Sequence, residues 1–101
     1  MSQSDELLAI SSTGTGLAAS GEIDAHTAPS LATAIDAAGP DVALDLSGVE
    51  FVDSSGLRVL IDAHQRLTAA GGGLRLVALS EPVRRLLEIS GVSDYLVVDE
   101  T

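Results

Sequence analysis

The sequence predicts a small α/β domain: a mostly parallel β-sheet with an antiparallel hairpin strand at one edge, packed with about three helices in the order β-β-α-β-α-β-α-β. Three observations carry this prediction. Short aliphatic runs, Val42-Ala43-Leu44-Asp45-Leu46 and Leu74-Arg75-Leu76-Val77-Ala78, alternate with stretches of helical spacing, the pattern of parallel strands joined by right-handed crossovers. The first two strand-like segments are separated only by Thr13-Gly14-Thr15-Gly16, a turn-rich link of hairpin type. The chain has 101 residues, the size of one domain with a single modest core. Phe51 and Tyr95 are its only aromatic side chains besides two histidines, so that core is built from aliphatic residues and alanine.

Each element has its own signal. Residues 1–4 read as a frayed start. Strands are expected over Glu6–Ser12 and Gly16–Gly21, with Gly21-Glu22-Ile23-Asp24 closing the second. The glycines between them match no nucleotide-binding fingerprint, and no Lys follows them, so they are read as a turn. A first helix begins at His26-Thr27-Ala28-Pro29. Thr27 is the expected cap, its hydroxyl accepting a first-turn N–H, and Pro29 costs little there. Leu31 and Ile35 share its apolar face with Ala28, Ala32 and Ala38, and Gly39-Pro40 ends it.

Val42–Leu46 reads as a central strand buried on both faces. Asp45 interrupts it and is expected to be a strand-end carboxylate bonded to nearby backbone. A second helix runs from about Ser55 to Ala70, with Arg58, Asp62, Gln65 and Arg66 on its polar side and His64 on its apolar side as a packing residue. Gly71-Gly72-Gly73 stops it. Leu74–Ala78 is the next strand. Ser80 caps a short third helix with Pro82 in its first turn; Val83, Leu86 and Leu87 lie on one face, and Arg84, Arg85 and Glu88 face water. Gly91 ends it, and Tyr95–Val98 is the last strand.

Composition narrows the function. Fifteen acidic against five basic residues give a net charge of −10. This weighs against nucleic acid, whose binding rests on cationic contacts to phosphate, and against anionic membrane surfaces. Any protein partner would be helped by a basic patch, and the plain alternative is that acidity keeps a small domain soluble. There is no cysteine, hence no disulfide, thiolate metal site or thiol nucleophile. His26 and His64 lack ligand spacing, and no metal or other cofactor is expected. No apolar run reaches membrane-spanning length, and the N-terminus lacks the order of a signal peptide; a cytoplasmic location is the expectation.

The sharpest feature is Asp53-Ser54-Ser55-Gly56-Leu57, where the chain passes from strand and connector into the second helix. Read alone, Ser54 suits a helix cap as well as a functional hydroxyl. However, three capping side chains in a row exceed what one helix start uses. Two other segments accompany the pentapeptide: Gly21-Glu22-Ile23-Asp24 before it, and Leu79-Ser80-Glu81-Pro82-Val83-Arg84-Arg85-Leu86-Leu87-Glu88-Ile89-Ser90-Gly91-Val92 after it. Together, over nearly the whole chain, they resemble the STAS domain, and within it the bacterial anti-sigma factor antagonists.

The resemblance implies partner switching. The unphosphorylated antagonist binds an anti-sigma factor that is also a serine kinase and so frees a sigma factor. The kinase phosphorylates the first hydroxyl after the Asp, here Ser54; the modified protein lets go, and a serine phosphatase resets it. It implies a monomer, no catalytic residue, and a partner-binding set of Gly21, Glu22, Asp24, His26, Thr27, Asp53, Ser54, Ser55, Gly56, Leu57 and Arg58. The sequence departs from the pattern by ending at Asp99-Glu100-Thr101, where many such antagonists carry another helix. This leaves open a second role, as a non-switching STAS subunit of a phospholipid-transport or stress-signalling complex. A hydrolytic site would need His26 to reach Ser54 as a base, and no nucleophile elbow, metal set or phosphate loop supports it.

Overall fold

The computed structural model describes residues 7–14 and 16–100. The frayed start expected at residues 1–4, the strand residue Glu6 and the turn residue Thr15 lie outside the described residues. The elements run β1 (Leu8–Ser12), β2 (Gly16–Ile23), α1 (Ala28–Ala37), β3 (Asp41–Val52), α2 (Ser54–Ala69), β4 (Gly73–Leu79), α3 (Glu81–Ser90) and β5 (Val97–Val98). The five strands lie in chain order, β1-β2-β3-β4-β5. β1 and β2 form the antiparallel hairpin, closed where the Thr13 N–H donates to the Gly16 carbonyl at 2.7 Å and the Gly16 N–H to the Thr13 hydroxyl at 2.9 Å. β2–β3, β3–β4 and β4–β5 are parallel.

The core is aliphatic, as the composition requires. Leu31 and Ile35 of α1, Leu44 and Leu46 of β3, Ala63 of α2 and Leu76 of β4 are fully buried. Burying one such Leu or Ile contributes about 1.5–3 kcal/mol. α1 and α2 pack against each other, α2 also lies on β3 and β4, and α3 lies on β3.

Four expectations are corrected. β3 does not stop at Leu46 but continues to Val52. Its pairing with β4 ends at Leu46↔Leu79, whereas Ser20↔Gly48, Gly21↔Val49, Glu22↔Phe51 and Ile23↔Val52 carry it onward along β2 alone. With one side unpaired, that half needs fewer apolar residues, and Ser47, Gly48, Glu50 and Phe51 are exposed there. Asp45 therefore stands within the strand, not at its end. Its carboxylate accepts the N–H of Ser47 at 2.8 Å and the Ser47 hydroxyl at 2.7 Å, bonds that hold it below the ordinary carboxylate value against a smaller opposing effect of burial.

The last strand is only Val97–Val98. Tyr95 sits in the preceding turn, its ring edge-on to His64 with centroids 5.0 Å apart and its hydroxyl accepting from Gln65 at 3.0 Å. Ala38 is exposed, one residue past α1. Arg84 keeps contact with water, as expected, and is paired there with Glu100 by two hydrogen bonds of 2.8 Å. His64 is a half-buried packing residue whose Nδ1 is buried without a hydrogen-bond partner among the described residues.

Candidate functional site

The parallel pairing of β2 with β3 brings both strands to their C-terminal ends side by side, with Ile23 opposite Val52. The residues after them, Asp24 and Asp53, are thus neighbours although nearly thirty positions separate them. One backbone bond fastens the junction: the Asp53 N–H donates to the Ile23 carbonyl at 3.2 Å.

Asp53 caps α2. It is extended (φ −121°, ψ −167°), and its carboxylate accepts the Ser55 N–H at 2.8 Å. Its carbonyl accepts the N–H groups of Gly56 at 3.0 Å and Leu57 at 3.2 Å. The helix start is therefore satisfied without Ser54. A serine at such a junction serves as the cap when its hydroxyl takes a first-turn N–H; here the residue before it does so. Ser54 is the first helical residue, it is exposed, and its hydroxyl makes no hydrogen bond among the described residues. Ser55 is half-buried and contributes its N–H.

Gly56 is buried because the helix start presses onto the sheet. A Cβ there would lie 2.7 Å from the Cγ2 atoms of both Ile23 and Val52. Only the absence of a side chain allows this approach, and it holds the first turn of α2 against the ends of β2 and β3. Ile23 and Val52 join the site beyond the residues expected from the motifs. Each is the last apolar residue of its strand, the one signal that marked them.

The segment 24–27 is knotted by hydrogen bonds. The Asp24 carboxylate accepts the N–H groups of His26 at 2.9 Å and Thr27 at 3.0 Å, and the Thr27 hydroxyl at 3.3 Å. Its carboxyl is held below the ordinary value chiefly by the Thr27 N–H. Burial opposes this, and the His26 N–H, the Thr27 hydroxyl and the His26 charge add to the lowering. Thr27 stands at the cap position of α1, but its hydroxyl takes no first-turn N–H. Instead it accepts the Asp24 N–H at 3.0 Å and donates to the Glu22 carbonyl at 2.9 Å. The expected cap is thus a clamp between the strand end and the loop, and Thr27 is buried in consequence.

Gly21 sits where β2 faces β1 with φ +104°, a conformation that side chains resist, and a Cβ would fall 2.2 Å from the Leu7 carbonyl oxygen. Glu22 is half-buried and His26 exposed. Among the described residues, the His26 side chain makes no hydrogen bond to Ser54. Beyond the helix start, Ser54, Leu57, Arg58, Ile61, Asp62 and Gln65 line a shallow groove of about 460 Å³ along α2. The structure therefore gathers Asp24, His26, Asp53, Ser54, Ser55 and Gly56 at one end of the sheet, with Leu57 and Arg58 leading away along the helix. Gly21, Glu22 and Thr27 lie behind the loop and support it.

The model of the STAS domain family matches residues 9–101. The chain belongs to the STAS domain family. A five-stranded sheet with three helices is this family's fold. Within the family, its similarity is to anti-sigma factor antagonists. It is 38% identical over 82 residues to the anti-sigma-B factor antagonist of Listeria monocytogenes, covering 77% of this chain and 72% of that protein. It is 35% identical over 79 residues to the anti-sigma-B factor antagonist of Bacillus subtilis, covering 75% and 72%. Among solved structures, an anti-sigma factor antagonist from Mycobacterium paratuberculosis matches this STAS domain with a TM-score of 0.75 and 31% identity, over 93% of this chain and 85% of that one. Among the described residues, no helix of this STAS domain is long and apolar enough to cross a membrane.

Proposed function

We propose that this STAS domain is an anti-sigma factor antagonist that is switched by phosphorylation of Ser54. The unphosphorylated protein binds an anti-sigma factor with serine kinase activity and releases a sigma factor. The kinase transfers a phosphoryl group from ATP to the Ser54 hydroxyl, the antagonist dissociates, and a serine phosphatase resets it. The protein acts as a monomer and contributes no catalytic group of its own. Its docking face is the strand-end loop with Asp24, His26 and Asp53, the exposed start of α2, and Leu57 and Arg58 beyond it; Gly21, Glu22, Thr27, Ser55 and Gly56 hold that face in place.

One observation carries the reading: the Ser54 hydroxyl is exposed and unbonded at the first residue of α2, while Asp53 does the capping. A kinase needs an accessible hydroxyl, and Ser54 offers one. The names of the relatives support the partner class. Phosphorylation adds about 1.5–2 negative charges beside Asp53, which disfavours a packed interface more than it disturbs the fold.

The test is phosphorylation in vitro with a purified anti-sigma factor kinase from the same genome, radiolabelled ATP and mass spectrometry. Label maps to Ser54, and Ser54→Ala takes none while still binding the kinase. Label on another residue, or equal labelling of the Ala variant, overturns the assignment.

A further inference from the structure

The chain has five basic side chains, all of them arginines. Four are in ion pairs. Arg66 pairs with Asp36, Arg75 with Asp41 at 4.0 Å, Arg84 with Glu100 at 2.8 Å and Arg85 with Glu81 at 3.6 Å. Among the described residues, Arg58 alone of the arginines has no carboxylate partner and no hydrogen bond. In a protein of net charge −10, an unspent cation calls for a reason.

Its position supplies one. Arg58 is four residues after Ser54 on α2, and both line the same groove. Residues i and i+4 of a helix are neighbours on one face, and every Cα–Cβ bond tilts toward the helix N-terminus. The long side chain of Arg58 therefore leans back toward position 54. Asp62, four residues on in the other direction, lines the groove as well but makes no ion pair with Arg58. An i,i+4 pair is better with the anion on the N-terminal side. Arg58 with Asp62 has the poor order; an anion at position 54 with Arg58 has the good one.

We infer that Arg58 is the internal counter-ion of phosphorylated Ser54. This rests on the reading of Ser54 as the modified residue. The guanidinium, free in the unmodified protein, pairs with the phosphate oxygens across one helical turn, a geometry in which the planar fork takes two oxygens at once. Phosphorylation then changes the surface twice over: it adds a dianion at position 54 and withdraws the free cation at position 58. A partner that docks on this face loses a positive contact as well as meeting a negative group.

The experiment installs phosphoserine at position 54 during translation, so its outcome does not depend on any kinase. The second ionisation of the phosphate is followed by phosphorus NMR in the otherwise unchanged protein, in Arg58→Gln and in Arg66→Gln. All three keep Asp24, His26, Asp53 and Asp62, so the charges around the phosphate cancel in the comparison. Arg58→Gln is expected to raise the phosphate pKa by about 0.15–0.4 unit at low salt, the size of a helical i,i+4 pair. Arg66→Gln should leave it in place, and salt should erase the difference. Equal titration in the Arg58→Gln and unchanged proteins overturns the inference. A kinase that labels some other residue overturns the function proposed for Ser54 but leaves this measurement standing.

Discussion

Two helices of this domain begin in the same way on paper. Each follows a parallel strand, and each has a serine at the handover: Ser54 before Gly56-Leu57, Ser80 before Pro82-Val83. The structure assigns them opposite duties. Ser80 is extended (φ −77°, ψ 169°) and caps α3, accepting the Val83 N–H at 3.5 Å. Ser54 is already helical, because Asp53 one residue earlier has taken the cap. The third helical position differs too. In α3 it is Val83, buried in the core; in α2 it is Gly56, which brings the helix backbone onto Ile23 and Val52. A serine at a strand-to-helix junction is structural when it is itself the cap and available when its predecessor is.

The largest effect should come from making α2 resemble α3 at that third position. Gly56→Val places atoms where Ile23 and Val52 already are and should destabilise the fold by roughly 1–3 kcal/mol, the usual cost of overpacking, read from urea denaturation. An unchanged midpoint would show that the two strand ends yield freely, and the rigid-start picture would fail.

The next effect is functional. Ser54→Asp should weaken binding to the anti-sigma factor by about 2 kcal/mol or more, the scale of a central interface residue, as measured by titration calorimetry, with the urea midpoint of the free protein nearly unmoved. Equal affinity for wild type and variant would remove the switch from this residue.

The two caps and the free serine then separate cleanly. Asp53→Ala should cost about 1 kcal/mol of stability, and Ser80→Ala less, toward about 0.5 kcal/mol because its bond is long, whereas Ser54→Ala should stay within about 0.5 kcal/mol of wild type. If Ser54→Ala proved the costliest of the three, the division of labour would be reversed.

The smallest effect is in pH. The Asp24 carboxyl lies below its ordinary value in the folded protein, and the unfolded value is about 3.9. Its contribution is therefore fully present above about pH 4 and is lost as pH falls through the lowered folded value. The stability difference between wild type and Asp24→Asn should be constant at neutral pH and shrink in acid. A difference that grew in acid would contradict the hydrogen-bonded knot at 24–27.

Much of this was legible in the residues because the signals are local. Pro29 and Pro82 mark helix starts, Gly39 and Gly91 mark helix ends, and the spacing of Leu31 with Ile35 and of Val83 with Leu87 gives the buried faces. Two of the departures, in β3 and at Tyr95, depended on a partner distant in sequence; that at Thr27 depended on one only five residues away. The second half of β3 looked like a connector because its strand character comes from pairing with β2 alone. Tyr95 looked like a strand residue because nothing nearby shows that its ring is claimed by His64 and Gln65 of α2. Thr27 looked like an ordinary cap because its true acceptor, the Glu22 carbonyl, belongs to the preceding strand end.

The sequence by itself determined the order of elements, the aliphatic core and the presence of hydroxyls at the start of α2, since backbone preference and hydrophobic periodicity act over a few residues. Only the tertiary structure decided which hydroxyl is left over, that Asp24 stands beside Asp53, and that, among the described residues, Arg58 is the arginine without a carboxylate. Those outcomes follow from parallel pairing of β2 with β3 and from charges meeting across elements, and such distances exist only once the chain has closed on itself.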